Sequence, residues 1–279
     1  KRAHELYPSC QGRPVRLKLS RGDDLYQSAQ KISPSAEALI VAGQPRRAAD
    51  FLRLDKPVYF SIPLELTGET RLRSSSLAAG ELAGRTAGFI LKEFKPDRVA
   101  VALDQASEVS THMASRLAAA LTARGGRLGD IVYLDGPRSD FKNLAERLEQ
   151  QDVGALGVPY AGEVTVRLIE ELREQRCRIP IVVINPPDET ALGSRWRHRR
   201  ERLYIVSQFA AEQAGAGRAQ ACRAACAETD QALSSAEALA VDSYFMALDA
   251  GASLPGDYLR GQTAAQPAQG ECYVYRVKG

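Results

Sequence analysis

What this chain lacks narrows its chemistry first. It contains no Gly-x-Ser-x-Gly elbow, no phosphate loop ending in Gly-Lys-Ser/Thr, and no Gly-x-Gly-x-x-Gly after a strand. The commonest hydrolase, triphosphate and dinucleotide signatures are therefore missing, and no catalytic residue is expected. The three histidines, His4, His112 and His198, are too scattered for a metal-ligand spacing, so neither metal nor cofactor is expected. Gln220-Ala-Cys-Arg223 nearly spells a caspase nucleophile, but Ala224 replaces the needed Gly and the setting is Ala-rich helix. No apolar run approaches the ~18 residues of a membrane-crossing helix. The 37 Lys+Arg against 34 Asp+Glu leave a net charge of +3, too balanced for nucleic acid or anionic lipid as main partner. Five cysteines, an odd count, give no disulfide framework. Cys222 and Cys226 lie four apart in helical sequence, which strains a bridge, and Cys10, Cys177 and Cys272 are isolated, so mostly free thiols are expected. Lys1 to Tyr7 reads as the inside of a helix rather than a charged-then-apolar leader, as expected of a processed or truncated end.

What is present is one unit repeated in phase. Val99–Leu103, Asp130–Leu134, Val153–Val158 and Pro180–Ile184 are short apolar runs, each entered from a polar or Pro break. Runs without polar alternation suit strands covered on both faces. Amphipathic stretches between them predict helices over 77–92, 110–123, 140–150 (with Asp140 as N-cap) and 162–175. Strand followed by helix implies right-handed crossovers and a parallel sheet, whose ligands sit outside the carboxyl ends of the strands.

The first segment carries the same unit. Strands are expected over 14–19, 36–42 and 57–61, with a helix capped by Asp24 running to Ile32 and a short helix from Arg46 to Leu54. Ile62–Ser76 has no periodicity and reads as a crossing. After Ile184, a polar connection with Arg195-Trp-Arg-His-Arg-Arg200 precedes a strand at Leu203–Ser207. A helix is then expected over 234–250, and a last strand over 272–277. At 279 residues the chain exceeds one usual core, and crossings near 62–76, 185–202 and 251–270 imply two lobes built from discontinuous segments. The expected division is 1–71 plus 203–252 for lobe 1, and 72–202 plus 253–279 for lobe 2.

The order of these marks resembles a type I periplasmic solute-binding protein of the branched-chain amino-acid (Leu/Ile/Val) receptor family. The matching stretches are Leu17–Asp23, Ala38–Gly43, Lys56–Ser61, Leu72-Arg-Ser74 and Pro96–Ala102. Arg124-Gly-Gly126, Asp140-Phe141, Val241-Asp242 and Leu259-Arg260 follow in family order. The resemblance covers nearly the whole chain except the family's first strand. It implies an α/β fold with two lobes, each a parallel-sheet α/β sandwich, joined by hinge strands. It also implies a periplasmic, non-catalytic protein that closes on a small molecule in the interlobe cleft and is recognised by an ABC-type membrane permease. Ser61-Ile-Pro-Leu-Glu-Leu-Thr67 departs from the small, hydroxyl-rich stretch that holds an amino-acid carboxylate in that family, which argues against an amino-acid guest.

The candidate ligand loops are those at strand carboxyl ends. Gly43 and Gln44 follow one strand; Ser61, Pro63, Glu65 and Thr67 follow the next. Asp104, Gln105 and Ser107 end the Val99 strand, Tyr160 ends the Val153 strand, and Asn185 and Glu189 follow Ile184. Hydroxyls, amides, a few acids and one ring suit a small polar or aromatic molecule. Each residue is equally a cap or a solvated loop position. Tyr160 either stacks on a ligand or plugs its strand end. Trp196 reads as a surface lid rather than a ligand wall, and its arginines as a solvated crossing. Two other functions share this architecture: a sensor or regulatory partner of another protein, and the effector core of a repressor, which needs a helix-turn-helix upstream of Lys1.

Overall fold

The computed structural model of the chain describes residues 9–10, 13–14, 16, 18, 20, 22, 24–42, 45, 47–61, 71–74, 76, 78–134, 141, 143–160, 162–184, 201–208, 240, 243–244 and 273–276. The chain divides into two compact units: Lys1–Leu77 with Gln208–Glu271, and Ala78–Ser207 with Cys272–Gly279.

In unit 1, β1 (Ser9–Cys10) and β2 (Arg13–Pro14) form a minimal antiparallel ladder. Of the strand expected over 14–19, Pro14 belongs to β2, Arg16 and Lys18 are exposed and carry no regular structure, and 15, 17 and 19 lie outside the described residues. Helix α1 (Leu25–Ile32) starts where expected, because the Asp24 carboxylate accepts the Gln27 N–H at 2.9 Å. Three parallel strands follow: β3 (Leu39–Val41), β4 (Val58–Phe60) and β5 (Leu72–Ser74), in the order β3-β4-β5. All three residues of central β4 are buried, which is why that run shows no alternation. Phe51, from the 3-10 turn Ala48–Leu54, stacks edge-on against Tyr26 and Phe60 at 5.5 and 5.2 Å between ring centres. That segment is 3-10 rather than α-helical. β5 lies inside the stretch expected to be an irregular crossing; three residues are too few to display a period.

Unit 2 holds α2 (Ala79–Phe94), β6 (Arg98–Leu103), α3 (Glu108–Ala123), β7 (Leu128–Tyr133) and α4 (Leu144–Gln150). It continues with β8 (Val153–Pro159), α5 (Glu163–Glu174), β9 (Ile181–Ile184), β10 (Leu203–Ser207) and β11 (Tyr273–Arg276). The sheet order is β11-β10-β9-β8-β6-β7, parallel throughout except for β11, which runs antiparallel to β10. The parallel repeat is thus as the sequence predicts. One core packs Ala100 and Ala102 of β6, Leu156 and Val158 of β8, Ile181 and Val183 of β9 and Ile205 of β10 against Leu144 and Leu148 of α4 and Leu168, Ile169 and Leu172 of α5.

Three local expectations change. Helix α4 begins at Leu144 after Asn143, which has a left-handed φ of 59°, so Asp140 is not its N-cap; Phe141, Leu144 and Leu148 are nevertheless buried as its apolar stripe predicts. Helix α3 begins at Glu108, capped by Ser107. The β7 run is covered on one face only: Val132 and Leu134 are buried, whereas Leu128, Ile131 and Tyr133 on this edge strand are 40%, 49% and 48% exposed. The Ala-rich region to Ala227 and most of the helix expected over 234–250 lie outside the described residues, though Ala240, Ser243 and Tyr244 are helical.

Candidate functional site

Strand order decides where unit 2 can hold a ligand. From β6 the chain crosses to β7 on one side, then back over β6 to β8 on the other. Helices leaving β6 and β8 therefore depart in opposite directions and open a crevice at the carboxyl ends of these two strands. Pairing of Ala100 with Leu156 and Val101 with Gly157 sets the register that brings the two strand ends side by side. Asp104–Ser107 and Tyr160 occupy these ends.

The geometry gives most of these side chains local partners. Asp104 Oδ1 accepts the Ala106 N–H at 3.0 Å, and its backbone N–H donates to Ser110 Oγ at 3.0 Å. Ser107 Oγ accepts the Ser110 N–H at 3.2 Å and caps α3. Thr111 Oγ1 donates to the Asp104 carbonyl at 3.2 Å. This loop is thus pre-ordered before any ligand arrives, and Gln105 alone of the three candidates is exposed. Tyr160 is half-buried, with its ring packed on the core and its N–H donated to the Ile184 carbonyl at 3.2 Å. A ring packed on the core at a strand end is compatible with the stacking and the plugging role alike.

In unit 1, Ser61 ends β4 and is 4% exposed; its N–H and its hydroxyl both donate to the Val41 carbonyl, at 3.2 and 3.5 Å. The hydroxyl expected to meet a ligand is engaged by the neighbouring strand. Gly43, Gln44, Pro63, Glu65, Thr67, Asn185 and Glu189 lie outside the described residues, as do Asp188 and the cluster around Trp196.

Sequence reasoning missed Ser76 and Gln208, both polar and buried to within 4% exposure. Ser76 Oγ donates to Gln208 Oε1 at 2.9 Å, and Gln208 Nε2 lies 2.7 Å from the same hydroxyl. The only signal for them is a serine run at 74–76 and a Gln after a strand, neither of which is distinctive.

Where the chain leaves unit 2 also follows from the topology. The short link Lys95–Asp97 joins the end of α2 to the start of β6, so the start of α2, about 24 Å away, lies at the carboxyl edge of the sheet. β10 ends at that edge, and Ser207 pairs with Tyr273, so β11 begins there as well. All three exits share the edge that carries Asp104 and Tyr160.

No family model matches the sequence, and no curated protein matches it. Solved structures do. A leucine binding protein LivK from Thermotoga maritima superposes with a TM-score of 0.78 at 17% identity, over 96% of this chain and 82% of that one. The chain has the type I periplasmic binding-protein fold. A solute-binding protein of an ABC transporter from R. palustris, in complex with benzoate, gives 0.74 at 12% identity over 100% and 88% of the two chains. The substrate-binding protein LivJ from Streptococcus pneumoniae, in complex with isoleucine, gives 0.73 at 15% over 91% and 77%. These similarities extend the type I binding-protein fold across both units of this chain. Among the described residues, no group of three or more His, Cys, Asp or Glu could hold a metal ion, and no helix is long and apolar enough to cross a membrane.

Proposed function

We propose that this chain is a non-catalytic extracytoplasmic binding protein that captures a small polar or aromatic molecule between its two units for an ABC-type importer. The observation that supports this most is the switch point at the ends of β6 and β8, where a pre-ordered polar loop stands beside the Tyr160 ring. A loop already satisfied internally loses little freedom on binding, so its exposed Gln105 amide and its remaining lone pairs are available at low entropic cost. Closure on the guest excludes water and strengthens the bonds made, and it is favoured only by contacts to both units at once. With Ser61 turned to Val41, a carboxylate clamp at that position is disfavoured, and recognition falls more heavily on unit 2 and on the neighbouring loops of unit 1.

The test is native mass spectrometry of freshly purified protein, followed by melting and small-angle scattering with leucine, benzoate and a wider metabolite panel. A bound small molecule, or a ligand that raises the melting temperature and reduces the scattering radius, supports capture. Unchanged melting and radius across all classes would remove it. The second reading, a sensor or regulatory partner of another protein, is favoured by the engaged Ser61 hydroxyl and the bulky stretch after it. Retrieval of one protein partner by ligand-free chain, with no small-molecule effect, would select it.

A further inference from the structure

We propose that the open edge of β7 is a self-association surface, on which a second copy of this chain docks its own β7 antiparallel about a two-fold axis. Among the described residues, the exposed large apolar side chains are Leu128, Ile131 and Tyr133, and all stand on this one strand. They also share a face. Val99 pairs with Leu128 and Val101 with Ile131, so β7 takes three steps where β6 takes two. This bulge brings Leu128, Ile131 and Tyr133 to the side of Val99, Val101 and Leu103. Gln151 pins it: its Oε1 accepts the Asp130 N–H at 3.1 Å, and its Nε2 donates to Asp130 Oδ2 at 2.5 Å. Val132 and Leu134 point the other way, into the core shared with α4 and α5.

The backbone is equally one-sided. The Leu134 N–H donates to the Leu103 carbonyl at 2.7 Å, so Val132 and Leu134 turn their peptide groups toward β6. Alternation then turns the N–H and C=O of Ile131 and Tyr133 to the open side. Edges that must stay single are blunted by Lys or Pro; here the two outward positions carry Ile and Tyr.

Symmetry and charge select a second copy as the occupant. Antiparallel pairing centred on Val132 sets Ile131 opposite Tyr133 of the second copy, and Tyr133 opposite its Ile131. Both outward pairs then exchange two hydrogen bonds, and each sets a β-branched side chain against an aromatic one. Arg124 and Arg127 stand before the start of β7, while Asp104 and Glu108 stand at the carboxyl edge where it ends. Antiparallel docking therefore faces the basic end of one copy to the acidic end of the other, whereas parallel docking would face like to like. A two-fold pairing also consumes the edge, so association stops at two. The surface lies wholly within unit 2 and is independent of the ligand proposal.

Sedimentation equilibrium of the full chain between about 1 and 300 µM tests this, and so short a paired edge predicts a dissociation constant on the order of 10–100 µM. At the high end of that range, amide exchange at Ile131 and Tyr133 should slow severalfold relative to dilute protein. Ile131→Lys and Tyr133→Lys each put a charge at an exposed edge position and should raise the dissociation constant at least roughly tenfold, with monomer melting unchanged. Should one of them fail to fold, the other decides. Glu174→Lys, exposed on α5 across the sheet, is the control and should leave association as it is. Three results overturn the proposal: a chain that stays monomeric throughout, whether its edge is empty or holds another extended polypeptide; a dimer indifferent to both edge variants; or a dimer whose Ile131 and Tyr133 amides exchange at the dilute rate.

Discussion

Arg173 on α5 supports the sharpest prediction about stability. Its Nη1 donates to the Cys177 carbonyl at 2.6 Å, and its Nη2 donates to the carbonyls of Ile179 and Glu201 at 3.3 and 2.8 Å. One guanidinium thus closes the end of α5, shapes the turn into β9 and holds the approach to β10. Its Nε is buried with no hydrogen-bond partner among the described residues. Bonds from a charged donor contribute about 1.5–3 kcal/mol each, and removing the guanidinium returns a desolvation cost of several kcal/mol. For Arg173→Met the balance is a loss of about 3 kcal/mol, or a fall of roughly 8 °C in the melting transition of unit 2. Arg173→Lys keeps the charge, but a point ammonium cannot reach three carbonyls in fork geometry, so it should recover less than half. Calorimetry combined with hydrogen exchange at the β9 and β10 amides reads both effects.

Burial holds the Arg173 guanidinium below its ordinary pKa, opposed chiefly by acidic neighbours such as Glu201 and assisted by Arg202. A base depressed in the folded state costs stability while protonated, and the cost is relieved only as pH rises through its folded pKa. That range lies far above neutrality for an arginine. The Arg173→Met penalty should therefore be the same at about pH 6 and pH 9. A variant melting within a degree of the parent, or Arg173→Lys matching it, would refute the three-carbonyl account.

Two further predictions concern close approach and capping. A Cβ at Gly154 would sit 2.8 and 3.1 Å from Cβ and Cα of Pro96, whereas one at Gly157 would meet the tip of Leu117 at 2.6 Å. A proline ring cannot swing away and a leucine methyl can, so Gly154→Ala should cost about 2–3 kcal/mol and Gly157→Ala about 1 kcal/mol, measured by denaturant unfolding; the reverse order would contradict this. Ser107→Ala removes the cap bond to the Ser110 N–H and should cost about 1 kcal/mol, with faster exchange in the first turn of α3; no change in either would mean the hydroxyl is not committed to the cap.

Much of the fold was legible because burial writes itself into the residue pattern. The parallel strands β6, β8, β9 and β10 are unbroken apolar runs, and the amphipathic stripe of α5 could be read without coordinates. Short elements were not legible: β5 has three residues, too few to show a period. Edge position was hidden as well, since the β7 run looks like its covered neighbours. The candidate site was legible only as a set of loops. Sequence can say that Ser61, Ser107 and Asp104 follow or flank strands, but a hydroxyl or carboxylate near a chain turn has several partners within reach. Folding gives Ser107 to the α3 cap, Asp104 to its own turn and Ser61 to Val41.

The sequence by itself determined the repeating strand–helix unit and hence a parallel sheet, because periodicity is a local consequence of which faces exclude water. Only the tertiary structure decided the strand order β7-β6-β8, the antiparallel closure by β11, and the meeting of Ser76 with Gln208 across 132 positions. Those depend on which distant surfaces find each other, and no local pattern of residues encodes that choice.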